Sequence, residues 1–258
     1  MIINPLYSLA GVLVGLVVGL TGVGGGSLMT PLLVLAFGFH PATAVGTDLL
    51  YASATKSVGT TVHGWRGTVA WGVVGRLMAG SVPAALLTLV ILHFAGEQSK
   101  ETGHAISVAL GITLMLSGVA TIFRARIVAA MTRRLGAVSP ARIARLTVLV
   151  GAILGVLVSL TSVGAGALGM TALLILYPTM PVNRLVGSDI AHAVPLTLLG
   201  GIGHYILGSV DGSLLVSLLI GSIPGIIVGS LVASRVSDRF LTPILAAVLA
   251  AVGIKLLF

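Results

Sequence analysis

The sequence predicts an all-α polytopic membrane protein made of two inverted repeats. Each repeat is a glycine-broken re-entrant hairpin, or pair of short helices, followed by three transmembrane helices. Three observations lead there. The 258 residues are 57% hydrophobic and only 8% charged, with a mean hydropathy of +1.16. A soluble domain carries about 25% charged residues to cover its water-facing surface. Apolar runs of spanning length recur along the chain, and its second half repeats its first.

The elements follow in order from run length. A spanning helix needs about 20 apolar residues, and such runs fall near 42–62, 69–93, 104–122, 185–207 and 213–233, with a shorter one at 241–257. Two others, 6–38 and 146–177, are too long for one straight crossing: at 1.5 Å per residue, 33 residues measure roughly 50 Å against a hydrocarbon core of about 30 Å. Each carries glycines in its middle, Gly22-Val23-Gly24-Gly25-Gly26 and Val163-Gly164-Ala165-Gly166. Glycine weakens a helix and permits a turn, so both runs are predicted to be broken. MIINPLYSLAGV has no basic n-region and no small-residue cleavage site, so the first run is expected to stay in the mature protein.

Shifting by 140 aligns Gly11–Leu28 with Gly151–Leu168, 9 of 18 positions identical, and shifting by 141 aligns Thr30–Ala84 with Thr171–Gly225, 16 of 55 identical. Apolar bias produces chance Leu and Gly matches. It does not produce Asp48 on Asp189, His63 on His204 and Pro83 on Pro224 in one register. The chain is therefore divided into a first repeat (1–123), a basic linker (124–145) and a second repeat (146–258).

Of the 14 Lys and Arg, six lie between Arg124 and Arg145, and the net charge is +8. A basic connection between spans reads as a cytoplasmic loop against anionic lipid, not as a nucleic-acid surface. Leaving aside Lys56, inside a span, crossing long runs divide the basic residues 9 inside to 4 outside, and returning hairpins divide them 11 to 2. Hairpins obey the positive-inside rule better. They give each half an odd number of crossings, and hence inverted halves with both termini outside the cell's inner membrane.

Interrupted helices at matching places in two inverted halves are the pattern of secondary transporters, with the site near the midplane. The glycine turns offer helix N-termini whose free N–H groups suit an anion. Candidate substrate contacts are Thr21, Gly24, Gly25, Gly26 and Ser27 in the first hairpin and Thr161, Gly164 and Gly166 in the second, with Lys56 as the one cation well inside a span. Asp48 and Asp189, preceded by Thr47 and Ser188, are candidates for coupling or for helix capping, since an intramembrane carboxylate is functional by default and Asp also caps helices. His192 joins Asp189 one turn on; His63 and His204 read as interfacial or helix-end residues. Gly80-Ser81-Val82-Pro83 and Gly221-Ser222-Ile223-Pro224 read as packing kinks. No cofactor is called for, no residues have metal-ligand spacing, and no nucleophile and base are arranged for an enzyme. The absence of Cys excludes a disulfide scaffold and Cys-ligated metals.

With these residues in view, the chain resembles the sulfite exporter TauE/SafE family of membrane permeases over nearly its whole length. The resemblance is carried by Gly19-Leu20-Thr21-Gly22-Val23-Gly24-Gly25-Gly26-Ser27 with Pro31, by Ala44-Val45-Gly46-Thr47-Asp48-Leu49-Leu50, and by the repeated Gly-Ser-hydrophobic-Pro. It implies transport of sulfite or another sulfur-containing or organic anion; where Asp48 stands, many relatives carry a small polar residue. The expected function is alternating-access transport of a small anion, open to proton coupling. A Na⁺-coupled carrier using Asp48 and Asp189, and a non-transporting membrane scaffold, are the alternatives, with the oligomeric state left open.

Overall fold

A computed structural model describes residues 3–21, 26–135, 139–232 and 238–257. Among them are eleven helices and no strand: α1 (Pro5–Thr21), α2 (Gly26–Leu35), α3 (Pro41–Trp65), α4 (Trp71–Ala95), α5 (Lys100–Ile122), α6 (Arg124–Leu135), α7 (Pro140–Thr161), α8 (Ala167–Leu176), α9 (Val182–Ile206), α10 (Gly212–Val232) and α11 (Asp238–Leu257). Local chemistry sets several ends. Ser99 caps α5 by accepting from the Thr102 amide at 3.1 Å, and Ser139 caps α7 ahead of Pro140, proline being suited to the first helical position. Gly96 closes α4 at φ 73°, a left-handed angle that a side chain disfavours.

Among the described residues, five helices, α4, α5, α7, α9 and α10, are long and apolar enough to cross a membrane. Their outward faces carry exposed side chains such as Leu87, Ile91, Leu116, Leu149, Ile153 and Ile227, which suits contact with lipid. Helix α3 is of crossing length but more polar, and it runs through the interior: Thr47, Asp48, Tyr51 and Ala52 are all buried.

The two long runs are hairpins. Helices α2 and α8 have 10 residues each, about 15 Å, half the hydrocarbon core. Each returns to the end where its partner began. Tyr7 at the start of α1 stacks edge-on against Phe37 and Phe39 beyond α2, with ring centroids 5.1 and 5.6 Å apart. Tyr177 beyond α8 shares a 2.8 Å hydrogen bond with Thr147 near the start of α7.

Close glycine contacts fix the helix directions. Gly11 meets Leu218 and Gly15 meets Ser222, so α1 and α10 run the same way; Gly151 meets Leu77 and Gly155 meets Ser81, so α7 and α4 do too. In contrast, Gly46 early in α3 meets His204 late in α9, and Gly187 early in α9 meets His63 late in α3. Gly111 meets Leu257 and Gly118 meets Ala246, so α5 and α11 are likewise antiparallel. The repeat makes α3 equivalent to α9 and α5 to α11. Equivalent helices that touch while running in opposite directions are related by an axis lying across them, so the halves are inverted. The principal pairings, α1 with α10, α4 with α7, α3 with α9 and α5 with α11, all join one half to the other.

The basic stretch after α5 is largely helical: α6 carries Arg133 and Arg134 in its last turn and packs on α8. Partial burial holds the Arg124 guanidinium at its start below the ordinary arginine value, with the Asp189 carboxylate opposing that effect. Arg66, after α3, and Arg184, early in α9, lie at this same end of the bundle.

Candidate functional site

The site is built on the antiparallel pair α3 and α9. Asp48 is the eighth residue of α3 and Asp189 the eighth of α9, two turns inside each helix, so neither caps an N-terminus as the sequence had allowed. Thr30 on the short arm α2 donates to Asp48 Oδ2 at 2.5 Å, and the Ser162 hydroxyl at the turn of the second hairpin sits beside the same carboxylate. The Ser162 Oγ makes no hydrogen bond among the described residues, so one carboxylate is bonded to the first hairpin and faces the turn of the second. Its other oxygen has no hydrogen-bond partner among the described residues.

Asp189 stands differently. Its Oδ1 lies over the bare α-carbon of Gly169 on α8, where an added Cβ would come within 2.6 Å, and has no hydrogen-bond partner among the described residues. Thr171, the counterpart of Thr30, turns back to the Ala167 carbonyl at 2.7 Å. Lys56, two turns beyond Asp48 on α3, interacts electrostatically with both carboxylates, and Asp189 also feels Arg124. No ion pair joins Lys56 to either Asp among the described residues. Lys56, half-buried, thus feels both carboxyl groups without being tied to either.

Around these charges the two-fold shows in chemistry. Tyr51 on α3 lies by Ser222 of α10, and His192 on α9, its counterpart, shares a 2.9 Å hydrogen bond through Nε2 with Ser81 of α4. Ser81 and Ser222 belong to the repeated Gly-Ser-hydrophobic-Pro segments. The glycine packs against a neighbouring helix, as the kink reading expected, while the serine reaches the site. His192 is fully buried, and its Nδ1 has no partner among the described residues.

Thr47 and Ser188 are brought elsewhere. Thr47 accepts from the Asp211 amide at 3.1 Å and Ser188 from the Ala70 amide at 2.8 Å. They anchor the connections leading into α10 and α4, and their hydroxyls are occupied by that task.

Gly24 and Gly25 lie outside the described residues, as does the side chain of Thr21; Gly26 opens α2. Ser27 is buried and lines an apolar cleft of about 300 Å³ between the first hairpin and α11. In the second hairpin Thr161 donates to the Leu157 carbonyl at 2.6 Å and accepts from the Val163 amide at 3.2 Å, pinning the turn. Gly164 adopts φ 126°, and its carbonyl takes the amides of Leu168 and Gly169 at 3.1 and 3.0 Å. These two N–H groups of α8 are thus already satisfied, and Gly166 stands at the N-cap. Val163 and Ala165 are buried, as irregular backbone at membrane depth must be.

Ser162 is the residue the sequence reading passed over. It is the one non-glycine residue with positive φ among those described, at 58°, where a side chain costs about 1–2 kcal/mol. The first repeat has Gly22 at this place. That departure from the repeat was the available signal that a hydroxyl is wanted there.

His204 lies in the last turn of α9, a helix-end residue as expected, but it is buried and not interfacial, joined through Nδ1 to Glu97 and through Nε2 to the Ser159 carbonyl at 2.8 Å.

A family model described as Sulfite exporter TauE/SafE matches residues 7–256. Among curated proteins, the chain is 40% identical over 204 residues to "Probable membrane transporter protein YjnA" of Bacillus subtilis, covering 79% of this chain and 80% of that protein. A "Probable membrane transporter protein" of Xylella fastidiosa is 33% identical over 114 residues, 43% of each chain. One from Methanocaldococcus jannaschii is 26% identical over 218 residues, 82% of this chain and 76% of its own. No solved structure matches the chain.

Proposed function

The chain belongs to the sulfite exporter TauE/SafE family and is a multi-pass membrane transporter, and from that premise we propose that it carries a small anion, sulfite or another sulfur-containing or organic anion, by proton-coupled alternating access. The observation that supports this best is Lys56 held between Asp48 and Asp189. An ammonium attracts an anion, but two ionised carboxylates beside it leave this core with one net negative charge. Burying an anion there is costly. One proton taken up with the anion offsets that charge, so cargo and proton enter and leave together. The Ser162 and Ser81 hydroxyls supply further donors near this core, and the two hairpins enter from opposite ends, as suits alternating access. By the positive-inside rule we read α6 and the Arg124–Arg145 stretch as cytoplasmic, and the membrane as the cell's inner membrane.

Flux in proteoliposomes, over sulfite, sulfate, thiosulfate, sulfonates and carboxylates, tests the reading. At least one sulfur oxyanion or organic anion is expected to accumulate down an imposed pH gradient with no Na⁺ present. Accumulation that follows Na⁺ and ignores pH would replace it with the Na⁺-coupled carrier.

Ser162→Gly separates strain from function. Relief of the left-handed angle should leave thermal stability in detergent unchanged or raised by up to about 1 kcal/mol, while loss of the hydroxyl beside Asp48 should cut flux about tenfold. Normal flux in a folded Ser162→Gly protein would remove that hydroxyl from the site.

A further inference from the structure

At the end of the bundle opposite α6, the turn between α4 and α5 buries Glu97 against His204 of α9; Glu97 is 5% exposed and His204 0%. Imidazole Nδ1 faces the Glu97 carboxyl, and Nε2 faces the Ser159 carbonyl at 2.8 Å. A backbone carbonyl only accepts, so Nε2 must carry hydrogen. If Glu97 is ionised it too only accepts, so Nδ1 must also carry hydrogen and the ring is an imidazolium. If Glu97 is neutral, its hydroxyl donates to Nδ1 of a neutral ring. Either way, making both hydrogen bonds takes one more proton than an ionised Glu97 beside a neutral His204 would hold. The geometry fixes the proton count.

We propose that Glu97 and His204 form a proton-binding latch: with its proton, the pair ties α9 and the α4–α5 turn to the last turn of α7; without it the ring has one N–H, which the ionised Glu97 carboxylate takes as the stronger acceptor, so Nε2 turns a lone pair to the Ser159 carbonyl and the second hairpin is freed at this end. Ser159 lies three residues before Ser162, so the latch acts on the same turn that reaches Asp48. Solvent comes close to the pair. Glu97 lines an open cavity of about 430 Å³ between the α4–α5 turn and Ile206–Leu207, and its Oε2 has no partner among the described residues. Gln98 adds a neutral tie beside it, donating to Ser209 at 2.7 Å.

The other titratable groups of the described elements meeting here are His93 of α4, Lys100, Glu101 and His104 of α5, and Tyr205 of α9, all exposed. His40 ahead of α3 and Asp211 ahead of α10 are half-buried. The cations of α7, Arg142 and Arg145, lie at its far end.

The inference rests on alternating access but is read without cargo. The chain has no Cys, so Ala165→Cys, at a buried place in the second hairpin turn, reports opening by its rate of labelling with an impermeant maleimide, normalised to an exposed cysteine. Opening linked to release of one proton should speed labelling up to tenfold per pH unit as pH rises. In Glu97→Gln the amide donates to Nδ1 of a neutral ring and keeps both bonds without the extra proton. That variant should fold normally and label slowly, with no pH slope. His204→Ala should label fast at every pH. A pH slope in Glu97→Gln equal to that of the parent, or none in the parent, would overturn the latch. Proton-driven flux with a flat parent would leave the transport reading standing and the latch refuted; a working latch without proton-driven flux would do the reverse.

Discussion

Lys56→Met is expected to lower anion flux at least about 30-fold while leaving the protein in the membrane at close to normal amount. Among the described residues the ammonium is the one positive charge that interacts with both site carboxylates, and an anion entering this core has it as its natural counter-ion. Truncating one partner of a buried charge pair costs about 2–5 kcal/mol, and each 1.4 kcal/mol is a factor of ten. The same change leaves Asp48 and Asp189 with less compensation, so thermal stability should fall. Lys56→Met/Asp189→Asn removes that uncompensated charge and should restore stability without restoring flux. A double-mutant cycle on both readouts separates the two roles. Flux within threefold of normal in Lys56→Met would take the lysine out of the site, and with it the electrostatic case for a proton accompanying the anion.

Gly80→Leu and Gly221→Leu should each reduce recovery of monodisperse protein in mild detergent to below a tenth of normal. Gly80 of α4 rests on the Val148 carbonyl of α7, and Gly221 of α10 on the Ser8 carbonyl of α1. A Cβ at either place meets backbone, which has no rotamer to escape into. Helices in lipid associate through close van der Waals approach at small residues, with no hydrophobic drive to compensate for a gap. Overpacking that a side chain absorbs costs about 1–3 kcal/mol; here the whole helix pair must separate. Gly75→Leu is the control: it lies on α4, and nothing stands within 4 Å of its missing Cβ. Equal recovery of Gly75→Leu and Gly80→Leu would show that α4 and α7 do not meet at this glycine.

The helices were legible because membrane spans are set by run length. The expected runs 69–93 and 185–207 became Trp71–Ala95 and Val182–Ile206. The hairpins were legible because two runs exceeded the bilayer and carried glycine at matching places. Inversion was legible from where arginines fall, and the antiparallel contact of α3 with α9 supplies its geometric reason. Side-chain partners were not legible. That Ser81 reaches His192 depends on α4 packing beside α9, a neighbour relation that no local pattern encodes. Glu97 sits in a short polar turn that reads as solvent-exposed, and only the fold buries it against His204. Asp48 and Asp189 read as candidate caps because they fall within the first two turns of the expected runs 42–62 and 185–207. Helices α3 and α9 begin at Pro41 and Val182, which makes each Asp the eighth residue of its helix.

Exchange of helices between the halves has a consequence for synthesis. Helix α1 finds its main packing partner in α10, made roughly 200 residues later, which at about 5–20 residues per second is a wait on the order of 10–40 s. Through that interval its glycine face, Gly11 and Gly15, has only lipid to lie against. The nascent chain thus crosses most of its elongation as a set of loosely associated spans, exposed to membrane proteases and to mispairing with other inserting chains. Neither half is a module that matures alone, and truncation after α5 should yield a short-lived fragment, not a half-transporter.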